Sequence, residues 1–185
     1  MNHSRYYAKL SLPVSFVPCD YGINDPAHFC ELEIKMEDIN QEFTDFLSDI
    51  GLEIFYPRYF HSGPTHTYNL HVDVSTVPGN RFARLNWIFG GAGSEMVWYK
   101  PEGSSISFRT NSHGERIKIF DPAKCKELCR QHLKGPNLVN VGIVHTLVGG
   151  TEQRHCYSFF LKNKINSKRV EWDEAAFMFM PYFQR

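Results

Sequence analysis

The spacing of breaker clusters most constrains how this chain can fold. Ser62-Gly63-Pro64, Pro78-Gly79-Asn80, Gly90-Gly91-Ala92-Gly93 and Pro101-Glu102-Gly103 interrupt it at intervals that leave room for strands rather than for helices of ordinary length. The segments between and after them, Leu52–Phe60, Thr67–Val74, Ala83–Phe89, Glu95–Tyr99, Ser105–Arg109 and Arg116–Phe120, read as short strands. Tyr7–Phe16 and His28–Met36 read the same way upstream. Downstream, Leu138–Val148 and Arg154–Lys162 flank the turn Gly149-Gly150-Thr151-Glu152. Many short strands with few helices predict a β-sandwich or β-barrel.

Three helices are expected around that core. Ile39, Phe43, Phe46, Leu47 and Ile50 recur at helical spacing within Glu37–Gly51. Asp121-Pro122 reads as an N-cap followed by proline at the first helical position, opening a helix through His132 that Gly135-Pro136 ends. Glu171–Met180 reads as a short closing helix. With no repeat, low-complexity tract or linker, residues 1–185 are expected to form a single domain.

Twenty basic and twenty acidic residues cancel, so the chain has no electrostatic footprint for nucleic acid or for an anionic membrane. No apolar run has the length of a membrane span, and the N-terminus lacks that of a secretory leader. The five cysteines are scattered, without a C-x-x-C pair, which fits a reduced cytoplasmic protein. On the expected helix Cys125, Cys129 and His132 share a face; a buried apolar stripe accounts for them better than a metal site.

The chemistry concentrates in T-Y-N-L-H-V-D-V. His71 and Asp73 are two apart, so a strand points both to one face, and Leu70, Val72 and Val74 to the other. Alone, that describes a half-buried strand with a polar outer face. His145, the lone strongly polar residue of an apolar strand end, changes the reading, because two histidines and one carboxylate can hold one face of a ferrous ion and leave positions open. Arg154 opens the following strand, where neighbouring antiparallel strands would bring its guanidinium near the same pocket to clamp a carboxylate.

Tyr68-Asn69-Leu70-His71-Val72-Asp73, then His145, then Arg154 nine residues on, resembles the Fe(II)- and 2-oxoglutarate-dependent oxygenases, with a Y-x-x-H-x-D form like that of prolyl-hydroxylase-type members. Arg84-Leu85-Asn86 resembles the strand after the H-x-D in several phage and bacterial members. The likeness covers about half the chain, and the metal-binding core is expected at about 67–162. It implies a double-stranded β-helix (a jelly-roll, cupin-like barrel), with His71, Asp73 and His145 as iron ligands and Arg154 on the distal carboxylate of 2-oxoglutarate. It further implies that Tyr68 donates to that carboxylate and that Asn86 lies at the keto-acid end. Many members carry a serine two residues after the arginine; here Cys156 stands there, and Ser158 is the nearest serine on that strand face.

The implied reaction consumes O2 and 2-oxoglutarate, releases succinate and CO2, and hydroxylates a C–H bond. Trp87, Trp98 and Tyr99 are candidate substrate contacts at the mouth. The substrate is expected to be a peptide or protein side chain or a small metabolite, rather than nucleic acid. The competing reading is a cupin-like metal-binding barrel without 2-oxoglutarate chemistry, which has no need of a buried arginine beside its metal.

Overall fold

The computed structural model describes residues 4–23, 29–73, 82–103, 106–110 and 116–184. The described strands pair antiparallel into two six-stranded sheets. In spatial order the first sheet is β1 (Tyr7–Lys9), β10 (Gly135–Asn140), β5 (Ala83–Gly90), β12 (Arg154–Asn163), β3 (Leu52–Ser62) and β2 (Cys30–Glu33). The second is β7 (Ile106–Thr110), β8 (Arg116–Phe120), β4 (His71–Val72), β11 (His145–Val148), β6 (Glu95–Pro101) and β9 (Cys125–Gln131). Helices α1 (Gln41–Asp49) and α2 (Trp172–Phe179) flank them. No described helix is long and apolar enough to cross a membrane.

Alternation along the central strands divides the core. Leu85 and Trp87 of β5, with Tyr157, Phe159 and Leu161 of β12, pack on one face of the first sheet with Phe43, Phe46 and Leu47 of α1. The intervening residues Arg84, Asn86, Cys156 and Ser158 face the second sheet and line one cavity with His71 and His145. Further along that inner face, Ile88 and Phe160 join Met96 and Trp98 in a second apolar cluster. A sandwich with one dry outer layer thus holds polar side chains between its sheets.

Several expected boundaries shift. The strands form two open sheets, and among the described residues no pairing closes them into a barrel. The first helix starts at Gln41, after a 3-10 turn at Met36–Asp38, and the first expected strands shorten to β1 and β2. Asp121 does cap a helical turn, accepting from the Ala123 N–H at 3.0 Å, but the turn ends at Lys124. From Cys125 the chain pairs with β6, so the helix expected through His132 is strand β9, and tertiary pairing overrides helix propensity. Cys125, Cys129 and His132 therefore share no helical face.

The run expected as one strand, Leu138–Val148, is two strands in different sheets. Asn140 Oδ1 accepts from the Gly142 N–H at 3.2 Å, and this side-chain-capped turn sends the chain across the sandwich. His28, Val74, Ser105 and the Pro78-Gly79-Asn80 loop lie outside the described residues.

Candidate metal centre

β4 lies between β8 and β11, and His71 is in register with His145 across the β4–β11 pair. Directly opposed residues of an antiparallel pair share a face, and the two imidazole centroids lie 4.6 Å apart. Asp73 follows two residues after His71, tied to the chain by its N–H to Val141 O at 3.1 Å. Its Oδ1 lies 3.3 Å from His71 Nε2 and 3.8 Å from His145 Nε2. One ligand atom from each of the three lies within 4.8 Å of the other two.

The rings are oriented for metal binding. His71 Nδ1 sits 2.7 Å from Asn69 O and His145 Nδ1 2.8 Å from Ile143 O. A carbonyl only accepts, so each Nδ1 carries the hydrogen and each Nε2 lone pair turns towards the Asp73 carboxylate. Burial disfavours a charged His71, yet the hydrogen bond and charge of Asp73 outweigh it and lift its pKa above the ordinary histidine value. Burial, helped by His71, lowers the pKa of His145 to about 4, so this ring stays neutral. Burial also opposes ionised Asp73, but Arg84 and both imidazoles hold its carboxyl far below the usual range. The two Nε2 atoms and the Asp73 carboxylate are the atoms that would hold a divalent ion. The donor set fits such an ion.

Arg84 carries no assigned role in the sequence reading, although the site depends on it. Its Nε lies 2.8 Å from Asp73 Oδ2 and its Nη1 donates to Ser158 Oγ at 3.1 Å. Ser158 in turn donates to Asn86 Oδ1 at 2.6 Å, and the Arg84 guanidinium lies 3.8 Å from the Phe160 ring centroid. The available signal was parity. Arg84 is two residues from Asn86 in an otherwise apolar strand, so the two share a face.

Arg154 enters from the opposite sheet. β12 and β11 belong to different sheets, so the expected neighbouring-strand route does not apply; the guanidinium reaches the cavity by facing β11 across the sandwich. Arg154 is 6% exposed, and its one side-chain partner among the described residues is the Cys156 thiol. Gly91 makes room for it, since a Cβ there would lie 2.9 Å from Arg154 Cβ. Tyr68 lines the same cavity. Burial drives its phenol far above the ordinary range, Arg154 partly opposing, so it stays a donor.

The cavity has a volume of about 500 Å³. It holds the triad, Arg154, Tyr68, Asn86 and Ser158 together, with Cys156 also on its wall, and adds Phe29, Glu31 and His66, which the sequence did not single out. The proposed aromatic contacts are not among its lining residues. Trp87 alternates with Asn86 and therefore points away from it, into the α1 core. Trp98 is fully buried against Tyr6 and Tyr7, and Tyr99 packs on the Leu70–Phe120–Val144 cluster.

No protein-family model and no curated protein matches the sequence. Among solved structures, an oxidoreductase of the 2OG-Fe(II) oxygenase family from Burkholderia pseudomallei superimposes with a TM-score of 0.41 at 13% identity, over 71% of this chain and 56% of that one. The E. coli protein ycfD gives a TM-score of 0.36 at 12% identity, over 57% of this chain and 25% of that one. The chain thus spans little more than half of the first and a quarter of the second. What the site can do therefore follows from its own geometry.

Proposed function

We propose that the chain is an Fe(II)- and 2-oxoglutarate-dependent dioxygenase that hydroxylates a C–H bond of its substrate. One observation carries this reading. Two imidazole lone pairs and a carboxylate converge in a cavity that also holds a buried arginine with no acidic partner among the described residues. A guanidinium buried without an opposite charge costs several kcal/mol, which an anionic ligand would recover. A plain metal-binding barrel has no use for it.

Bound through His71, Asp73 and His145, iron would supply activation of O2 and oxidative decarboxylation of 2-oxoglutarate to succinate and CO2, with one oxygen atom passing to the substrate. The chain's own groups orient and desolvate. The Asn69 and Ile143 carbonyls lock the two rings, and Arg84 holds the Asp73 carboxylate against rotation. Arg154 would fork onto the distal carboxylate of 2-oxoglutarate while Tyr68 donates to it. Ser158 fixes the Asn86 carboxamide by donating to its oxygen, which leaves the amide nitrogen to donate into the cavity. Met96, Leu147, Ile117, Ile119 and Val141 keep the remaining wall apolar.

The test is turnover of 2-oxoglutarate to succinate in the presence of Fe(II), in wild type, His71→Ala and Asp73→Ala. Wild type should release succinate, and each variant should lose both turnover and divalent-ion binding while keeping its far-ultraviolet circular dichroism. Wild-type turnover in Asp73→Ala would remove the triad from the reaction.

A further inference from the structure

We propose that the substrate is an extended peptide that adds as a strand to the outer edge of β7 and places an acidic side chain against Arg109. This rests on the oxygenase reading and names the class of molecule its cavity receives.

β7 forms the cavity's lip. Arg109 and Thr110 line the cavity yet are exposed, whereas His145, Arg154, Asn86 and Ser158 are buried within it. Ile117 and Ile119 of β8 also line it, and they lie opposite Arg109 and Ser107 in the β7–β8 register. Opposed residues share a face, so Arg109 and Ser107 belong to the cavity side of the strand and Ile106 and Phe108 to the outer side.

The strand is built to accept a partner. β7 ends its sheet, and among the described residues no strand pairs with its other edge. All five of its residues are exposed, with Ile106 at 43% and Phe108 at 48%, and it holds neither proline nor glycine. β7 lacks the bulges and prolines that blunt many natural edges, its one inward charge being Arg109, and such an edge is a template for strand addition. An added strand would run ~4.8 Å from β7. Its side chains would alternate between the cavity side, beside Arg109, and the outer side, beside Ile106 and Phe108.

Charge selects the peptide. Within the cavity Asp73 pairs with Arg84, and Glu31 pairs with Arg58 behind it. Arg154 and Arg109 are left without an acidic partner among the described residues. The 2-oxoglutarate carboxylate answers Arg154, and Arg109 at the mouth remains for the substrate. An exposed arginine beside an open strand edge suits a carboxylate side chain of a peptide lying along that edge.

The experiment exposes anaerobic protein loaded with Mn(II) and 2-oxoglutarate to a randomised synthetic peptide library and sequences the bound fraction by mass spectrometry. Wild type should enrich Asp and Glu at one position, and Arg109→Glu should switch that position to Lys and Arg. N-methylation of the backbone amides of a recovered peptide should weaken binding by about tenfold per amide, at alternate residues only. Absence of acidic enrichment, a preference unchanged in Arg109→Glu, or indifference to N-methylation would each overturn the proposal. So would equal binding of N-acetyl-aspartate amide, which would make the substrate a small acid. Mn(II) and 2-oxoglutarate binding are measured on the same wild-type preparation. If both bind and no peptide is selected, only this proposal falls; if neither binds, the oxygenase reading falls, and selection is then scored on the protein alone.

Discussion

Arg84 reaches from one sheet of the sandwich to the other and sets its Nε 2.8 Å from Asp73 Oδ2. The contact makes the carboxylate's orientation a property of the sandwich rather than of the short strand β4. Groups that orient a metal ligand typically change metal affinity by about 10–100-fold when removed. Arg84→Ala should therefore weaken Mn(II) binding by about that factor. Arg84→Lys should recover part of it, since a point charge cannot hold Asp73 and Ser158 together. Equal Mn(II) affinity in wild type and Arg84→Ala would show that Asp73 needs no such support.

Trp87 is 9% exposed and packs against Phe16 and Phe43 beneath α1, away from the cavity. Trp87→Ala should cost about 3–5 kcal/mol of unfolding free energy. The protein that remains folded should bind 2-oxoglutarate with wild-type affinity. Chemical denaturation checks the first outcome and anaerobic titration the second. A weakened 2-oxoglutarate constant at wild-type stability would return Trp87 to the site.

That residue also shows where sequence reasoning stops. A period of two was enough to put His71 with Asp73, and it equally requires Trp87 to oppose Asn86. Arg84 was legible by the same rule but needed the facing sheet to reveal its partner. The helix expected from Asp121 to His132 had a genuine cap, and only the pairing of Cys125–Gln131 with β6 makes it a strand. The exchange of sheets after Asn140 was hidden because an apolar run reads the same in one strand or two. Arg154 does open a strand, as its sequence suggests, but its route to the cavity runs across the sandwich, which no local pattern encodes.

His155 carries a pH prediction. Burial and the nearby His61 lower its pKa below the ordinary 6.5, Asp20 opposing, while its Nδ1 lies 2.7 Å from the Tyr59 hydroxyl. The unfolded chain therefore takes up this proton first as pH falls. The stability linked to neutral His155 is complete above about pH 6.5 and is lost as pH drops towards the lowered value. Wild type should melt at lower temperature at pH 5.5 than at pH 7.5, and His155→Gln should lessen the difference. Identical pH dependence in the two proteins would show that His155 titrates as it does in the unfolded chain.

The most direct measurement is the 2-oxoglutarate dissociation constant of Mn(II)-loaded wild type, Arg154→Ala and Arg154→Lys, titrated without oxygen. Removing one partner of a buried charge pair costs about 2–5 kcal/mol, so Arg154→Ala should raise the constant by roughly thirtyfold to several thousandfold while Mn(II) affinity holds. Arg154→Lys should fall between, because a single ammonium cannot match both carboxylate oxygens. Equal constants in all three proteins would contradict the account, leaving a metal centre in a β-sandwich without a 2-oxoglutarate site.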